Sequence, residues 1–372
     1  MPPGCPSGPF PTPMVPAPPP PPGPPRIADE LLYVPCISGQ LLALHTTNGS
    51  VAWQIDSRKY PNDENMLSPV TFVDGVLYAT WTWHFRALDP VTGHVLWSHN
   101  YTGIRVDTSQ PAVGGGRAVI VNGEGVMFCY DAYNGTFLWT QSGLNPSYRE
   151  VGGDQTSLPS IASDGNIYAR DTFGFLWALN GSDGSVIWKT NEHYMYGQVS
   201  SPATLSEDES VLYVVWSCFM LVALDRGTGK VLWTVPFSKY PCYPVSREEG
   251  RSLAPIVYNQ TFILVSDFYF INVTMVGNTT ELTQRSFCAM ESEKYPRGYF
   301  GVIYQTPARD RSGGFHFCAI YEMAAMESNG TMRYYKHIVM PGDFYACHGT
   351  VLDSAGRPYF MAHDRVGLAV LL

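Results

Sequence analysis

Residues 87–97 read ALDPVTGHVLW, and the chain contains four further copies of this stretch. In every copy a Gly lies four residues before a Trp, and in four of the five an Asp or Asn lies four residues before that Gly. Successive Trp residues are 42 to 49 positions apart, so one unit of about that length repeats along the chain. The defining residues are Trp53; Asp89, Gly93 and Trp97; Asp131, Gly135 and Trp139; Gly184 and Trp188; and Asp225, Gly229 and Trp233.

Each position of the motif has a physical role in a hairpin. The Gly supplies the positive φ that a tight turn needs, and the Asp or Asn before it can accept hydrogen bonds from the turn backbone. The alternating apolar residues place one face of each strand against a neighbouring sheet. An apolar strand pair precedes each later copy, as in residues 68–79, SPVTFVDGVLYA. The unit is therefore four strands separated by turns.

A four-stranded unit of this length does not bury both faces alone, so several must stack around an axis. We therefore predict an all-β fold, a β-propeller of seven or eight four-stranded blades. The recurring Trp, large and flat with one N–H donor, suits the wedge between adjacent blades. The count stays open because residues 286–338 read either as one blade or as an insertion.

The pattern Ala-Leu-Asp-x-x-Thr-Gly-x-x-x-Trp resembles the tryptophan-docking repeat of the PQQ-like (quinoprotein) β-propeller superfamily. Within it, the chain is similar to the bacterial outer-membrane assembly lipoprotein type rather than to an intact quinoprotein dehydrogenase. The resemblance is clear over residues 31–236 and weaker over 252–372, where Tyr334 takes the place of a Trp. It implies a single propeller domain over residues 29–372.

Residues 1–28 form a separate Pro/Gly-rich region with five consecutive prolines, Pro18 to Pro22. Because proline has no backbone N–H, such a stretch does not build a strand ladder, and we expect a disordered tail. No signal sequence is visible, since the region lacks a basic start and a continuous apolar stretch. A true N-terminus upstream of this sequence would reconcile the tail with export.

Composition excludes some classes of partner. The formal net charge is −9, which argues against a nucleic-acid partner because binding to phosphates needs a basic surface. No apolar run reaches the roughly 18 residues of a membrane-spanning helix, so no transmembrane segment is predicted. The eight Cys include no Cys-x-x-Cys pair, so a structural zinc site is not predicted either.

The sequence contains eight Asn-x-Ser/Thr sequons. Four of them, at Asn48, Asn134, Asn180 and Asn329, coincide with hairpin turns whose chemistry favours the same residues. The other four have no such explanation, and they favour glycosylation in a secreted protein or in the endomembrane lumen. These glycosylation candidates are Asn100, Asn259, Asn272 and Asn278.

The resemblance raises one enzymatic alternative, a PQQ-dependent quinoprotein oxidoreductase acting on an alcohol or a sugar. It would imply a quinone on the propeller axis, a Ca²⁺ ion bound by Glu, Asn and Asp, an Asp base and, in many members, two adjacent Cys. The chain has no adjacent Cys pair, and no pattern assigns Glu124, Asp154, Asp171 or Asp343 to calcium. We therefore expect neither PQQ nor Ca²⁺, and we assign no catalytic residue.

The remaining chemistry-bearing residues form no recognisable set. The nine His show no paired-ligand spacing, and the aromatic stretch Trp81 to Phe85 reads either as a carbohydrate or peptide platform or as packing between blades. The favoured function is therefore a non-catalytic, monomeric binding scaffold. Its rim loops and channel mouth would face a protein or glycan partner.

Overall fold

All 31 regular elements of the computed structural model are β-strands, and no helix lies in the part of the chain that it describes. The described residues are 26–28, 30–36, 39–56, 69–101, 110–122, 125–142, 159–171, 175–190, 202–216, 220–236, 255–258, 261–265, 269–276, 279–286, 308–319, 322–329, 331–337, 347–362 and 368–371.

The strands form eight antiparallel sheets, each a meander in chain order. The strands of blade 1 are β1 (Arg26–Ala28), β2 (Leu31–Pro35), β3 (Gln40–His45) and β4 (Val51–Asp56). Those of blade 2 are β5 (Thr71–Val73), β6 (Val76–Trp81), β7 (His84–Leu88) and β8 (Val95–Asn100). Those of blade 3 are β9 (Ala112–Gly114), β10 (Arg117–Val121), β11 (Met127–Asp131) and β12 (Phe137–Gln141). Those of blade 4 are β13 (Ser160–Ile161), β14 (Ile167–Arg170), β15 (Leu176–Leu179) and β16 (Val186–Lys189).

The second half of the chain continues the same pattern. The strands of blade 5 are β17 (Thr204–Leu205), β18 (Val211–Trp216), β19 (Met220–Asp225) and β20 (Val231–Pro236). Those of blade 6 are β21 (Ile256–Tyr258), β22 (Thr261–Val265), β23 (Tyr269–Val276) and β24 (Thr279–Ser286). Those of blade 7 are β25 (Ala308–Arg309), β26 (Phe315–Ala319), β27 (Glu322–Met326) and β28 (Met332–His337). Blade 8 contains β29 (Cys347–Leu352), β30 (Pro358–Ala362) and β31 (Leu368–Leu371).

The blades close into a ring through their first strands. β1 contacts β5, β5 contacts β9, β9 contacts β13, and β29 contacts both β25 and β1. Blades 8 and 1 also share a buried cluster that includes Val34, Val351 and Tyr359. The first strands therefore line the axis and the fourth strands lie at the circumference, which confirms the predicted all-β propeller.

The observed blades settle the count and two boundaries. Within the described residues, seven sheets have four strands and the eighth has three. The expected tail boundary at residue 28 was wrong, because Arg26–Ala28 pairs with Leu31–Tyr33 and supplies the leading strand of blade 1. Residues 308–337 form one complete blade rather than an insertion.

The motif forms its hairpin as the sequence indicates. In blade 2 the Asp89 carboxylate accepts hydrogen bonds from the Val91 and Thr92 amides at 3.0 and 2.7 Å, and Gly93 has a φ of +72°. A register shift follows between Ala87 and Leu88. This β-bulge breaks the alternation of the fourth strand, so the Trp faces the next blade while the apolar residues before it are exposed.

Two rims result from the meander. The turns between first and second strands and between third and fourth strands share one end of the ring, here named the tight-turn rim. The other end, named the long-connection rim, carries the turns between second and third strands and the connections between blades. These inter-blade connections are long in sequence, as from Asp56 to Thr71 and from Pro236 to Ile256.

Candidate functional site

The first four motif Trp side chains lie on the turn Gly of the following blade. A Cβ atom at that Gly would come within 2.5–2.8 Å of the indole ring, so the contact leaves room only for glycine. The four pairs are Trp53 with Gly93, Trp97 with Gly135, Trp139 with Gly184, and Trp188 with Gly229.

Each of these indoles also donates a hydrogen bond across the blade boundary. The acceptor is the carbonyl of the residue that follows the Asp or Asn of the next turn, at 2.8–3.1 Å from Nε1. We name this oxygen the turn carbonyl. The turn carbonyls that accept from a Trp are those of Pro90, Ala132, Gly181 and Arg226.

A second donor often shares the turn carbonyl, and the sequence did not reveal it. The Tyr33 hydroxyl donates to Pro90 O at 3.2 Å, and the Tyr78 hydroxyl donates to Ala132 O at 3.0 Å. Burial raises the pKa of Tyr78 to about 12, so this hydroxyl keeps its proton. In blade 3 the strand position of these Tyr is Val119, and the second donor is instead Arg117 Nε, 2.7 Å from Gly181 O.

The docking pattern changes beyond the fifth Trp. The Trp233 ring packs against Tyr213 of its own blade and Phe262 of blade 6, at centroid distances of 5.9 and 5.7 Å. At the next boundary Asn272 Nδ2 donates to Ser328 O at 2.7 Å. The Glu327 amide donates to Thr331 O and closes the blade 7 turn, as the Asp89 amide donates to His94 O in blade 2. Ser328 follows Glu327, so its carbonyl is in the position of the turn carbonyl. Asn272 therefore supplies the donor that a Trp supplies elsewhere.

Side-chain hydroxyls along the channel wall also donate hydrogen bonds to backbone carbonyls across blade boundaries. Thr71 Oγ1 donates to Pro111 O at 2.6 Å, and Thr204 Oγ1 donates to Pro255 O at 3.0 Å. Ser160 Oγ donates to Ala203 O. In each case a hydroxyl on the first strand of one blade donates to the carbonyl of the residue directly before the first strand of the next blade. These channel hydroxyls hold blades together.

Charged residues on the tight-turn rim also join blades. Arg226 Nη2 donates to Asp164 Oδ2 at 2.8 Å, and Arg226 Nη1 lies 3.6 Å from Glu209 Oε2. The Glu209 carboxylate in turn accepts hydrogen bonds from the Ser163 amide and hydroxyl. The pKa of Asp164 is lowered, because hydrogen bonds from Asn166 and Arg226 outweigh the opposing effect of burial.

On the long-connection rim, the described aromatic residues of 81–85 divide into two groups. Trp81 and Phe85 are fully buried, and Trp81 Nε1 donates to Gly39 O of blade 1 at 2.9 Å. The packing interpretation therefore holds for these two. Trp83 lies in the turn and His84 begins β7. Both are half-buried, so they are the part of this stretch that a partner can reach.

Two buried arginines lie below the same rim. The Arg86 guanidinium lies 4.8 Å from the centroid of the Trp81 ring. Arg170 Nη1 donates to Val215 O of blade 5 at 3.3 Å. Burial lowers the pKa of Arg170 to about 9, and neighbouring Asp171 opposes that shift.

The described residues do not fit a quinone-associated calcium site. Asp171 uses both carboxylate oxygens, accepting from the Phe175 amide at 2.9 Å and from Trp177 Nε1 at 2.9 Å. Within the described ranges no three His, Cys, Asp or Glu residues converge as metal ligands. Glu124, Asp154 and Asp343 lie outside those ranges.

The structure places two of the four glycosylation candidates. Asn100 is exposed at the end of β8, whereas Asn272 is half-buried with its amide engaged at Ser328 O. Asn259 and Asn278 lie outside the described residues. Cys36 and Cys129 are buried free thiols, and burial raises their pKa values to about 11 and about 12.

No helix among the described residues is long and apolar enough to cross a membrane.

Comparison with known proteins agrees with this geometry. Residues 82–241 match the family model described as outer membrane protein assembly factor BamB. The BamB of Yersinia pestis is 25% identical over 242 residues, which cover 63% of this chain and 56% of that protein. The chain therefore spans about half the length of the curated relatives it matches.

Solved structures show the same fold over nearly the whole chain. The BamB of Moraxella catarrhalis superposes with a TM-score of 0.64 at 15% identity, covering 94% of this chain and 93% of that one. A europium-containing methanol dehydrogenase superposes with a TM-score of 0.62 at 14% identity, covering 93% and 83%. The chain is thus a β-propeller of PQQ-like repeats that resembles the outer membrane protein assembly factor BamB.

Proposed function

We propose that the chain is a non-catalytic binding scaffold that presents its long-connection rim and channel mouth to a protein partner. The observation that carries this proposal is that described polar groups of the channel wall and of the tight-turn rim hold neighbouring blades together. The described channel hydroxyls and the Asp164–Arg226–Glu209 cluster join one blade to the next. The blade-to-blade connections, which vary most in length, all begin and end at the long-connection rim. The relatives' name, assembly factor, supports a protein partner.

The test is site-specific photo-crosslinking in the native host. Benzoylphenylalanine replaces Trp83 on the long-connection rim, and in a matched variant it replaces Tyr133, which is 64% exposed on the tight-turn rim. We expect a discrete cross-linked protein from the Trp83 position and none from Tyr133. Cross-linking from Tyr133 alone, or from neither position, would contradict the proposal.

The enzymatic alternative is a PQQ-dependent dehydrogenase of an alcohol or sugar. The structural likeness to a methanol dehydrogenase is its support, and at 14% identity that likeness concerns the fold. Adding PQQ and Ca²⁺ to the purified chain should leave its unfolding temperature unchanged and produce no dye reduction with alcohols or sugars. A saturable thermal shift together with dye reduction would establish the enzyme instead.

We further propose a secreted or endomembrane-luminal glycoprotein that is monomeric in the absence of its partner. Asn100 supports the first part, because this sequon is exposed and lies outside the repeat turns. Glycopeptide mass mapping of protein from its native source should find a glycan on Asn100 and none on Asn272. A bare Asn100 would remove the main support for this compartment. Light scattering of the purified chain should give the mass of a monomer.

A further inference from the structure

Blade 4 holds the Lys189 ammonium between two aromatic rings and a carboxylate at the long-connection rim. Lys189 Nζ lies 4.1 Å from the centroid of the Phe175 ring and 4.1 Å from that of the Trp177 ring. It also lies 3.6 Å from Asp171 Oδ2, and the Asp171 side chain is almost completely buried. Asp171 and Phe175 flank the turn between β14 and β15. We name Asp171, Phe175 and Trp177 the blade 4 cage.

The cage attracts Lys189 by charge and by its aromatic faces rather than by a hydrogen bond from the ammonium to the carboxylate. The 3.6 Å separation is longer than an N–H···O hydrogen bond, and Asp171 Oδ2 accepts the Trp177 Nε1 proton at 2.9 Å. The Lys189 side chain keeps 36% of its surface exposed. The cage is therefore open to solvent on the side that Lys189 fills.

The turn that carries Asp171 does not require a carboxylate. In blade 3 the same turn is closed by Asn122 Oδ1, which accepts from the Val126 amide at 2.8 Å. In blade 4 Asp171 Oδ1 accepts from the Phe175 amide at 2.9 Å. Since a neutral amide closes the blade 3 turn, the negative charge of Asp171 serves something other than the turn.

The repeat does not require a cation at the position of Lys189 either. Lys189 directly follows the fourth motif Trp and pairs with Trp177. In the other four copies of the motif the residue after the Trp is uncharged. Those residues are Gln54, Ser98, Thr140 and Thr234. The pairing of a cation with an aromatic cage is thus particular to blade 4 among these five blades.

We propose that the blade 4 cage binds a quaternary ammonium group, carried by a trimethylated lysine of a partner protein, and that this group displaces Lys189. A primary ammonium needs acceptors for its N–H groups, whereas a quaternary ammonium has none to satisfy. Aromatic faces with a nearby carboxylate therefore suit the quaternary group better, and aromatic cages recognise such cations. The proposal deepens the binding function above and rests on it for a protein as the source of the group.

The first test titrates the isotope-labelled 372-residue chain with tetramethylammonium chloride and follows the Trp177 indole N–H by NMR. We expect a saturable shift, and no shift with sodium chloride or with tert-butanol, a neutral molecule of similar shape. Lys189→Met should bind about tenfold or more tightly, because the unmodified chain must first release Lys189 from the cage. Lys230→Met is the matched control, since it removes the same charge at an exposed turn, and it should bind like the unmodified chain.

Asp171→Asn tests the cage from the opposite direction. It should preserve the turn, as Asn122 does in blade 3, and should weaken binding about tenfold or more through loss of the charge. Thermal unfolding should show this variant and Lys189→Met folded. No saturable shift in Lys189→Met, or binding by Asp171→Asn equal to that of the unmodified chain, would overturn the proposal. If Lys189→Met does not fold, the comparison of the unmodified chain with Asp171→Asn decides.

A second titration identifies the source of the quaternary group. A short peptide containing trimethyllysine should bind, and the same peptide with unmodified lysine should bind about tenfold or more weakly. Equal binding of the two peptides would overturn the proposal. Phosphatidylcholine vesicles should not sediment the chain. Sedimentation that Asp171→Asn abolishes would assign the cage to a lipid head group and overturn the partner assignment.

Failure here is distinguishable from failure of the proposed function. If Trp83 cross-links form and neither tetramethylammonium nor the trimethyllysine peptide binds, only the blade 4 cage is lost as a site. If the peptide binds and no cross-link forms at Trp83, the cage remains a site and the proposed rim contact at Trp83 falls.

Discussion

At the residue scale, a glycine and an oxygen atom control how neighbouring blades join. The docking Gly is needed twice, for its positive φ and for the absence of a Cβ under the indole. The turn carbonyl accepts from Trp together with Tyr at two boundaries, from Trp together with Arg117 at a third, and from Asn272 at a fourth. The acceptor is constant while the donors vary, because a backbone carbonyl is fixed by the turn and not by any one side chain.

A docking glycine should be far less replaceable than an undocked one. Gly135→Ala forces positive φ on a residue with a Cβ and brings that Cβ to 2.7 Å from Trp97. We expect a loss of roughly 2–4 kcal/mol in the free energy of unfolding, from backbone strain and overpacking together. Gly75→Ala carries the strain alone and should lose about 1–2 kcal/mol. Urea unfolding measures both, and equal losses would show that the indole contact is loose.

The turn carboxylates should make stability depend on pH. Hydrogen bonds from the Thr92 hydroxyl and amide lower the pKa of Asp89 below its usual 3.8, and Thr228 does the same for Asp225. Because the folded pKa lies below the unfolded one, this stabilisation is present above the unfolded pKa and is lost as pH falls through the folded pKa.

Asp89→Asn tests this dependence, since Asn180 fills the same turn position in blade 4 with an uncharged acceptor. The variant should unfold near the temperature of the unmodified chain at neutral pH and should lose less stability than that chain below about pH 4. Thermal unfolding followed by circular dichroism across this range measures the difference. An identical pH slope in the two proteins would mean that Asp89 does not contribute.

At the element scale, one β-bulge in the pairing of the fourth strand has two effects. The β-bulge before each Trp turns the indole toward the next blade and leaves apolar residues such as Leu96 and Leu232 about half exposed, at 53% and 51%. Blade 6 has no bulge at the equivalent position, and its β23–β24 pairing is continuous over eight residues. The hydrogen bond described between blade 6 and the blade 7 turn comes instead from Asn272, which is on the third strand.

Asn272 should accordingly be sensitive to loss of its amide donor. Asn272→Asp replaces the Nδ2 that donates to Ser328 O by an oxygen facing a carbonyl. We expect a loss of about 1–3 kcal/mol in unfolding free energy, since a half-buried acceptor loses its donor and meets a like partial charge. Asn48→Asp is the control, because the hydrogen bond described for Asn48 is one that it accepts, from the Ser50 amide, and Asp also accepts. A control loss equal to that of Asn272→Asp would contradict the assigned role.

At the scale of the whole molecule, the ring closes through residues far apart in the chain. Tyr359 reaches Thr46 across 313 positions of sequence, and β29 lies beside β1. This boundary is the one at which a second-strand Tyr alone holds the turn carbonyl among the described residues. Closure is therefore expected to be weaker there than at the Trp-docked boundaries.

The difference between boundaries can be measured with two Tyr→Phe variants. Tyr359→Phe leaves Thr46 O without its described donor, whereas Tyr78→Phe leaves Ala132 O still bound by Trp97. We expect about 1–2 kcal/mol for Tyr359→Phe and less than about 1 kcal/mol for Tyr78→Phe. A larger loss for Tyr78→Phe would reverse this ranking.

The repeat of turn Gly and Trp was enough to predict blades 1 to 5 and the propeller, because turn chemistry and strand alternation act over a few residues and are legible in sequence. The same reasoning left the number of blades open, since residues 286–338 read either as one blade or as an insertion and Tyr334 takes the place of a Trp there. Only the tertiary structure shows that Arg117 and Asn272 act as donors to turn carbonyls and that the Tyr359 hydroxyl reaches Thr46 O where the ring closes. These features are contacts between residues of different blades, which become neighbours only when the ring forms. No local sequence pattern connects such residues.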